Sequence, residues 1–267
     1  MAELKDFSGS VAIVVSSCDK FFDAWRPFAF FFRKFWPDCP FPVYLIVNQL
    51  RVRSTWIQAI NVGRDKGWAS NMERTLREIS TPYILYMQED YFLTGPVDRQ
   101  RLANDFAYAF ERDAASFRFS GRDPAEIHFA PINDQFGILA PDSNWRTLCQ
   151  VTLWKRDVLA ATLRPGETAW NMEARGSERT RDLLALSYSL PDAGPILYLR
   201  SAISRGLWTQ EALALCKQNH FTIRPAFRPA YVSKPAGRRF RRALGRLTLA
   251  CAFAKQLFRP VDLDARK

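Results

Sequence analysis

The sequence has few of the residues that metal centres, disulfide frameworks and hydrolase triads need. Its 267 residues include only two histidines, His128 and His220, which excludes multi-histidine metal sites. No GxSxG motif is present to partner either of them in a serine hydrolase. The five cysteines are odd in number and form no CxxC pair, which argues against a disulfide framework or a cysteine zinc site. This cysteine usage fits a reducing compartment.

Long hydrophobic runs are also lacking, and the first ten residues contain no apolar stretch of a signal peptide. The mean hydropathy of -0.21 excludes a polytopic membrane protein. The aromatic residues, 14% of the chain, exclude disorder throughout it. Residues 21–36 (FFDAWRPFAFFFRKFW) are too short to span a bilayer and carry four charges, so we expect a helix buried on a sheet. These features predict a cytoplasmic protein.

The net charge of +11 belongs to one end of the chain. Residues 224–267 contain 12 basic and 2 acidic residues, whereas residues 1–223 contain 26 and 25. The sequence therefore predicts one globular domain over residues 1–223 and a basic tail over residues 224–267. A nucleic-acid partner is therefore not expected.

Three short apolar runs predict buried strands at residues 11–17, 42–48 and 83–88, and each run ends in polar residues. Residues 20–36 and 70–79 have the length of crossover helices between them. Ser70 and Glu73 have the spacing of a capping box at the start of the second helix. This alternation predicts an α/β fold with a mostly parallel, open sheet and flanking helices.

The middle of the chain is less regular. A helix is predicted over residues 99–112, a strand over 151–154 and a helix over 157–163. Residues 113–147 are predicted to be irregular, because they contain several prolines, aspartates and asparagines.

The polar residues that end the three strands are expected to meet in one crevice, since ligands of open α/β sheets bind outside the carboxyl ends of the strands. These residues are Ser16 to Asp19, Asn48, and Glu89 with Asp90. Paired carboxylates at such a position suit Mg²⁺ or Mn²⁺ together with phosphate oxygens. Alternatively, the two carboxylates cap a turn or pair with arginines.

At this point the sequence resembles the GT-A class of nucleotide-sugar glycosyltransferases, particularly bacterial enzymes of surface-polysaccharide assembly. The resemblance rests on ordered features over about residues 10–175, namely VAIVVSSCDKFFDAW, GWASNMERTLREI, PYILYMQEDYFL, QVTLWKRDVL and PGETAWNMEARGSER. It implies a GT-A-like (Rossmann-like) sheet and a nucleotide-diphosphate sugar as donor.

The resemblance also implies positions for the donor. The end of the first strand and the loop before the acidic strand would bind the nucleotide through Ser16, Ser17, Asp19, Trp68, Ser70 and Asn71. The family's DxD motif falls on Gln88-Glu89-Asp90, so its first aspartate is a glutamine here. Asp90 and Glu89 would bind the diphosphate through Mg²⁺ or Mn²⁺. Some enzymes with this fold use basic side chains for that task instead, and Arg205 is the candidate.

Inverting glycosyl transfer needs a carboxylate that takes the proton of the acceptor hydroxyl. By the resemblance, the candidates for this base are Glu173 and Glu167, with Glu173 preferred because Trp170 precedes it by one helical turn. Each glutamate also has a plain alternative, since Glu167 suits a helix N-terminus and Glu173 suits an exposed surface. Four residues are the candidates for the acceptor side, although core packing is an alternative for each tryptophan: Trp145, Gln150, Trp154 and Trp170.

Within the tail, an amphipathic helix is predicted over about residues 237–258. Its apolar positions recur at helical spacing and are Phe240, Leu244, Leu247, Cys251, Ala254 and Phe258. Five arginines cluster in its first half, which favours a helix that lies on an anionic membrane surface. Packing of the helix on the protein's own domain and binding to another partner are the alternatives.

Together these patterns predict a glycosyltransferase of surface polysaccharide assembly on the inner face of the cytoplasmic membrane. Its partners would be a nucleotide-diphosphate sugar and a glycan or polyprenol-linked glycan acceptor. Three other interpretations remain, and one of them is a nucleic-acid binder that depends on the basic tail. The other two keep this fold. One is a non-catalytic membrane scaffold that keeps the fold, and the other is a nucleotidyltransferase, although no glycine-rich phosphate loop follows the first strand.

Overall fold

A computed structural model describes residues 2–121, 127–223, 228–231 and 235–265, without the side chains of residues 235–242, 244, 246 and 247. The strands are β1 (Val11–Ser16), β2 (Val43–Val47), β3 (Val52–Arg53), β4 (Ile57–Asn61), β5 (Tyr83–Gln88), β6 (Ser116–Arg118), β7 (Phe129–Pro131), β8 (Phe136–Leu139), β9 (Thr152–Lys155), β10 (Ala185–Tyr188), β11 (Ile203–Ser204), β12 (Leu207–Trp208) and β13 (Val261–Asp262). The α-helices are α1 (Phe22–Phe35), α2 (Trp68–Arg77), α3 (Arg99–Glu111), α4 (Arg156–Thr162), α5 (Ala169–Arg179), α6 (Gln210–Gln218) and α7 (Pro235–Gln256).

The central sheet, as far as the described residues form it, has nine strands in the order β4-β2-β1-β5-β9-β6-β10-β8-β7. β4, β2, β1 and β5 pair in parallel, as do β6 and β10, whereas β9 and β8 run against their neighbours. β7 is antiparallel to β8, so seven of the nine strands run in one direction. The predicted α/β class with a mostly parallel sheet and flanking helices is confirmed.

Alternating residues of the strands build an apolar layer on each face of this sheet. Val11, Ile13 and Val15 of β1 belong to the larger layer with α1 and α3. Ala12 and Val14 belong to the other layer, with α2 and α4. Full burial of one such branched side chain is worth about 1.5–3 kcal/mol, so a strand buried on both faces is held by its apolar run.

The aromatic segment predicted as a buried helix forms α1. Trp25, Phe28, Phe31 and Phe32 are all buried in the larger layer, and the ring of Phe31 stacks on that of Phe92 at 5.4 Å. The prediction of a helix packed on the sheet, rather than inserted in a membrane, is confirmed for this segment.

The predicted capping box is wrong. α2 begins at Trp68 directly after Gly67, whose φ of 90° lies in the left-handed region that favours glycine. Asp65 takes the place expected of Ser70, because its carboxylate accepts hydrogen bonds from the Gly67 N–H at 3.0 Å and from the Asn71 amide at 3.0 Å. The helix therefore starts earlier, and Ser70 lies inside its first turn.

The segment predicted to be irregular, residues 113–147, contains β6, β7 and β8. These strands have three or four residues each, too few to show a clear period in the sequence. β6 is held between two strands that follow it in the chain, β9 and β10. The buried Arg118 guanidinium donates to the Ser187 hydroxyl and to the Trp145 carbonyl, so long-range contacts decide this region.

The predicted tail helix is present as α7, and the chain after it returns to the domain. β13 pairs in parallel with β3, and the Thr55 N–H donates to the Asp264 carboxylate at 2.7 Å. The domain boundary predicted at residue 223 stays a prediction. The β13–β3 pairing and the Asp264 contact join the parts of the chain before and after it. Among the described helices, none combines the length and apolar character that crossing a bilayer requires.

Asp105 on α3 makes the stability of this fold depend on pH. Burial raises the pKa of its carboxyl to about 7, and the Tyr188 hydroxyl donates to it at 2.7 Å. The folded state therefore keeps this proton to a higher pH than the unfolded chain, where an aspartate has a pKa of about 3.9. We expect the group to lower the free energy of unfolding as pH rises from about 4 to about 7.

Asp105→Asn keeps an acceptor for Tyr188 but cannot titrate. Urea unfolding at about pH 5 and about pH 8 should show a smaller loss of stability at the higher pH in this variant than in the wild type. Asp157→Asn, on an exposed part of α4, is the matched control and should keep the wild-type difference. If Asp105→Asn shows the same difference in unfolding free energy between the two pH values as the wild type, other groups cause the pH dependence.

Candidate functional site

The carboxyl ends of three neighbouring parallel strands bring the predicted polar residues to one edge of the sheet. β1 ends at Ser16, β2 is followed by Asn48, and β5 ends at Gln88 and is followed by Glu89 and Asp90. Ser16 and Gln88 are partners in the β1–β5 register, and the Glu89 N–H donates to the Ser16 carbonyl. The predicted convergence at this edge is therefore found in the structure.

Asp19 joins the loops that leave β1 and β2. Its buried carboxylate accepts hydrogen bonds from three consecutive backbone N–H groups, at distances between 2.7 and 2.9 Å: those of Asn48, Gln49 and Leu50. The Asp19 N–H donates in return to the Asn48 side-chain oxygen at 3.1 Å. Both carboxylate oxygens are thus engaged in positioning the two loops.

A cavity of about 800 Å³ opens beside this junction. Its lining includes Asp19 and Asn48 from the loops after β1 and β2, and Asp65 from the loop before α2. Gly206 and Leu249 bring in the β11–β12 turn and α7. A cavity of this volume at a strand-end crevice is of the size and place expected for a small-molecule ligand.

Three cationic side chains are among the described residues that line this cavity: Lys20, Arg64 and Arg228. Lys20 forms an ion pair with Asp65 at 3.1 Å. Burial by itself would raise the pKa of Asp65, but hydrogen bonds from the Gly67 N–H and from Lys20 hold that pKa below its usual range. Asp65 therefore remains a carboxylate that fixes this part of the wall, and Arg64 is exposed on the same wall.

Arg228 is the buried cation of the site. Its guanidinium forms two hydrogen bonds with the Asp23 carboxylate at 2.9 and 3.0 Å and also donates to the carbonyls of Lys20 and Gly206. Its charge lies 5.0 Å from the centre of the Phe21 ring. These contacts hold the chain around residue 228 against the start of α1, beside the acidic end of β5.

Glu89 and Asp90 are both buried, with 6% and 7% of their surface exposed. Burial and the neighbouring Asp90 charge raise the pKa of Glu89 well above its usual range, and Arg228 opposes this rise. Burial raises the pKa of Asp90 to about 6, opposed by hydrogen bonds to one of its oxygens from the Ile203 N–H at 3.2 Å and the Ser201 hydroxyl at 3.1 Å. Two buried carboxylates with raised pKa values favour the arrival of a cation.

The carboxylate pair fits a hard divalent cation that shares its ligands with a substrate. Among the described residues, no group of three histidine, cysteine, aspartate or glutamate side chains is arranged to hold a metal alone. Glu89 and Asp90 together offer carboxylate oxygens at this edge, and Ser201 and Ile203 both donate to the same oxygen of Asp90. Mg²⁺ and Mn²⁺ sites of this kind are completed by water and by substrate phosphates.

Arg205 is carried by a hairpin that starts at the carboxylate pair. The hairpin consists of β11 and β12, and its turn has Arg205 at φ 53° and Gly206 at φ 79°. Asp90 binds the base of this hairpin through Ile203, while Gly206 at the turn lines the cavity. The exposed Arg205 precedes the cavity-lining Gly206 in the chain, and its role in diphosphate binding stays a prediction.

Tyr86 is a buried centre of hydrogen bonds on the other face of the sheet. Its hydroxyl accepts from the Trp68 indole at 3.1 Å and from the Gln88 amide at 3.0 Å, and it also interacts with the Ser16 hydroxyl. Burial raises the pKa of this phenol well above its usual range, so it is neutral. Two of the predicted donor residues, Ser16 and Trp68, thus meet at Tyr86 rather than in the cavity.

The remaining predicted donor residues also have local partners. The Ser17 hydroxyl accepts a hydrogen bond from the Trp25 indole at 2.7 Å. Asn71 binds Asp65 and the Lys66 N–H, which supports the cavity wall from behind. Ser70 is half-buried on the first turn of α2. Of the six predicted donor residues, Asp19 is the one that lines the cavity directly.

The hydrogen bonds of Gln88 explain why a glutamine stands at the first position of the acidic motif. The Gln88 amide group donates both to the Tyr86 hydroxyl and to the Cys149 carbonyl, at 3.0 and 3.1 Å. An ionised aspartate at this position could not donate a hydrogen bond to either of these two oxygens. Gln88 therefore links β5 to the segment that leads into β9.

Glu173 lies on the other side of the segment that contains Cys149 and leads into β9. Its buried carboxylate accepts the Cys149 N–H at 2.7 Å, while the Cys149 carbonyl accepts from Gln88 and from the Tyr91 hydroxyl. The alternative that Glu173 is exposed is wrong, because α5 packs this face against the segment before β9. A single peptide segment thus separates Glu173 from the end of β5.

Glu167 is held differently. Arg179 forms two hydrogen bonds with it, at 3.0 and 2.8 Å, and this contact keeps the pKa of Glu167 below its usual range despite some burial. The pairing with Arg179 makes Glu167 a weaker base. Its backbone carbonyl accepts the Ala69 N–H, which ties α5 to the start of α2.

The four predicted acceptor residues lie in different surroundings. Trp170 is 77% exposed near the start of α5, and Gln150 is half-buried and accepts from the Tyr198 hydroxyl at 2.9 Å. Trp145 is half-buried, with φ at 60°. Trp154 is 3% exposed and packs in the layer beside α2, so the core-packing alternative describes it and its ring has no surface for a glycan.

Sequence reasoning missed several residues of this edge: Lys20, Arg64, Tyr86, Cys149 and Arg228. Arg228 lies about two hundred positions from its partner Asp23 and within the basic tail, where one arginine is indistinguishable from the rest. Cys149 acts through its backbone, which no residue pattern reveals. A tyrosine inside a buried strand was the one available signal, since a buried Tyr hydroxyl needs a hydrogen-bond partner.

No protein-family model and no curated protein sequence matches this chain. Among solved structures, S. aureus TarS is similar with 10% identity and a TM-score of 0.46 over 94% of this chain and 44% of that one. A TarS structure of residues 1–349 is matched over 71% of this chain and 59% of that one, so the chain spans about half the length of these neighbours.

Two further solved structures are similar to this chain. The mannosyltransferase PcManGT from Pyrobaculum calidifontis, in complex with GDP-Man and Mn²⁺, is 14% identical, with a TM-score of 0.47 over 95% of this chain and 78% of that one. A CMP:2-keto-3-deoxy-manno-octonic acid synthetase complexed with CTP is 10% identical, with a TM-score of 0.49 over 79% of this chain and 99% of that one. The likeness is one of fold alone.

Proposed function

We propose that this protein is a glycosyltransferase that moves a sugar from a nucleotide-diphosphate donor to a glycan or polyprenol-linked glycan. The observation that carries the proposal is the cavity with three cationic side chains beside the buried pair Glu89 and Asp90. Cations recognise phosphate oxygens, and a carboxylate pair next to them provides ligands for a phosphate-bound metal. Together they describe a site for a diphosphate rather than for a neutral ligand.

The donor would lie along the strand ends. Its nucleotide would occupy the cavity over β1 and β2, and its diphosphate would extend towards Asp90 at the end of β5. Arg64 and Arg205 are exposed at the cavity wall and at the neighbouring hairpin, where each can approach the diphosphate. A divalent cation held by Glu89 and Asp90 would neutralise charge on the leaving diphosphate.

The acceptor would approach from the β9 side of the same edge. Glu173 would take the proton of the acceptor hydroxyl while that oxygen bonds to the sugar carbon and the bond from this carbon to the phosphate oxygen breaks. Glu167 suits this role less well, because Arg179 lowers its pKa, and we prefer Glu173, which lies one helical turn after Trp170. The exposed Trp170 ring offers a surface on which a sugar can stack.

A lipid-linked acceptor fits the C-terminal helix. The basic tail carries an excess charge that would attract an anionic bilayer, and α7 leaves Phe258, just beyond its end, 81% exposed. We place the protein on the inner face of the cytoplasmic membrane on this ground. Helices that bind at the membrane interface combine exposed apolar side chains with nearby basic residues.

Nucleotide binding is the first test. Thermal unfolding with each common nucleoside diphosphate and its sugars, with and without Mn²⁺, should show a shift for one base. At about one hundred times the dissociation constant, a ligand adds about 2.7 kcal/mol of stability. Asp90→Asn should keep the hydrogen bonds from Ser201 and Ile203 but lose the Mn²⁺-dependent part of the shift, because it removes a metal ligand.

The exposed variant Asp157→Asn is the matched control and should respond as the wild type does. If no nucleotide shifts the unfolding temperature, the proposal of a donor site is wrong. A nucleotide-sugar shift without any sugar transfer to membrane lipids would favour a non-catalytic scaffold instead. Full transfer activity in Asp90→Ala would contradict the role given to this carboxylate.

The base is tested by Glu173→Gln, which keeps an acceptor for the Cys149 N–H. We expect the rate of sugar transfer to fall about 10²–10⁴-fold, since general-base catalysis contributes on this scale, while the donor dissociation constant stays unchanged. Glu167→Gln is the comparison variant, because it breaks the pair with Arg179 and leaves Glu173 in place. A greater loss of transfer rate in Glu167→Gln than in Glu173→Gln would reverse the assignment.

A further inference from the structure

α7 forms one wall of the candidate donor cavity. Gly245, Leu249 and Phe253 recur at every fourth residue and line it from the same face of the helix. The Phe253 ring lies 6.5 Å from the Phe22 ring at the start of α1, and Ala252 is buried in the larger apolar layer. The cavity is therefore enclosed in part by the basic tail and not by residues 1–223 alone.

The opposite side of this helix is exposed and apolar. Cys251 and Ala254 are exposed, as is Phe258 beyond the end of α7, and these are three of the six positions predicted to form the apolar stripe. The side chains of the other three, Phe240, Leu244 and Leu247, lie outside the described residues. The predicted stripe, where it is described, thus points away from the domain, and a different set of residues packs on it.

The last part of the tail fixes α7 over the cavity. The Arg51 guanidinium donates to the Phe258 carbonyl at 3.2 Å, and the Val261 N–H donates to the Arg51 carbonyl at 2.7 Å. Arg51 belongs to the chain between β2 and β3, which Asp19 holds through Leu50. The helix end is thereby joined to the same loop that forms the floor of the cavity.

We propose that α7 couples attachment to an anionic lipid surface with binding of the donor nucleotide. The inference rests on the proposed function, because it takes the cavity as the nucleotide site. A bilayer that binds the outward face of α7 favours the conformation in which Leu249 and Phe253 form the wall. A nucleotide that contacts this wall favours the same conformation, so each ligand increases the affinity for the other by the same factor.

The test is the dissociation constant of UDP and of GDP, each with Mn²⁺, for the full chain with and without vesicles. Vesicles of phosphatidylcholine with phosphatidylglycerol should lower the dissociation constant of the nucleotide that binds by at least about fivefold, the lower end of usual coupling. The nucleotide should lower the lipid concentration at half-maximal vesicle binding by the same factor. Equal dissociation constants with and without saturating vesicles would overturn the coupling.

Two tryptophan variants separate the faces of the helix. Ala250 lines the cavity, whereas Cys251, about 100° further round the helix, belongs to the outward stripe and does not line it. Both residues are exposed, so neither substitution removes core packing. Ala250→Trp should weaken nucleotide binding at least about tenfold by filling the cavity beside this wall, whereas Cys251→Trp should leave nucleotide binding without vesicles unchanged. An unchanged dissociation constant in Ala250→Trp would overturn the assignment of α7 as the wall.

Failure of this inference is distinct from failure of the proposed function. A protein that binds one nucleotide with the same affinity in both conditions lacks the coupling but keeps its donor site. A protein that binds neither UDP nor GDP, nor any other nucleoside diphosphate, with or without vesicles, lacks the donor site itself. Thermal unfolding of each variant without ligand shows that the substitution has left the fold intact.

Discussion

The carboxylate of Asp19 is the interaction on which the candidate site depends. It accepts three backbone N–H groups from the loop after β2, and a charged acceptor makes each of these hydrogen bonds stronger than a neutral one. The loop so held forms the floor of the cavity and continues to Arg51, which binds the end of α7. One buried acidic side chain thus positions both the loop beside the cavity and, through Arg51, the residues that follow α7.

The edge of β5 concentrates charge that the fold itself does not need. Burying carboxylates costs several kcal/mol unless cations or hydrogen bonds offset the loss of water, and Arg228 is already paired with Asp23. The raised pKa values of Glu89 and Asp90 are the consequence. Such perturbed groups cluster where proteins bind ligands, and here Arg228 lies both near Glu89 and in the lining of the cavity.

Gln88 lies between the two parts of the candidate site that we propose to bind donor and acceptor. On one side lie the carboxylate pair and the cavity, and on the other the Cys149 peptide group and Glu173. Because Gln88 donates two hydrogen bonds where a carboxylate has none to give, the departure from an acidic motif strengthens this partition. Under the proposed function, the diphosphate would then depend on Glu89, Asp90 and arginines such as Arg205.

The sequence by itself determined the three parallel strands, the buried aromatic helix and the polar strand ends, because apolar periodicity and the polar residues after each run are local properties. It also determined the amphipathic tail helix. Only the tertiary structure decided the short strands β6 to β8, the start of α2 and the face of α7 that meets the domain. Tyr86, Cys149 and Arg228 belong to the site because they bind residues distant in sequence or bind through backbone groups. Their roles depend on long-range packing that no local sequence pattern encodes.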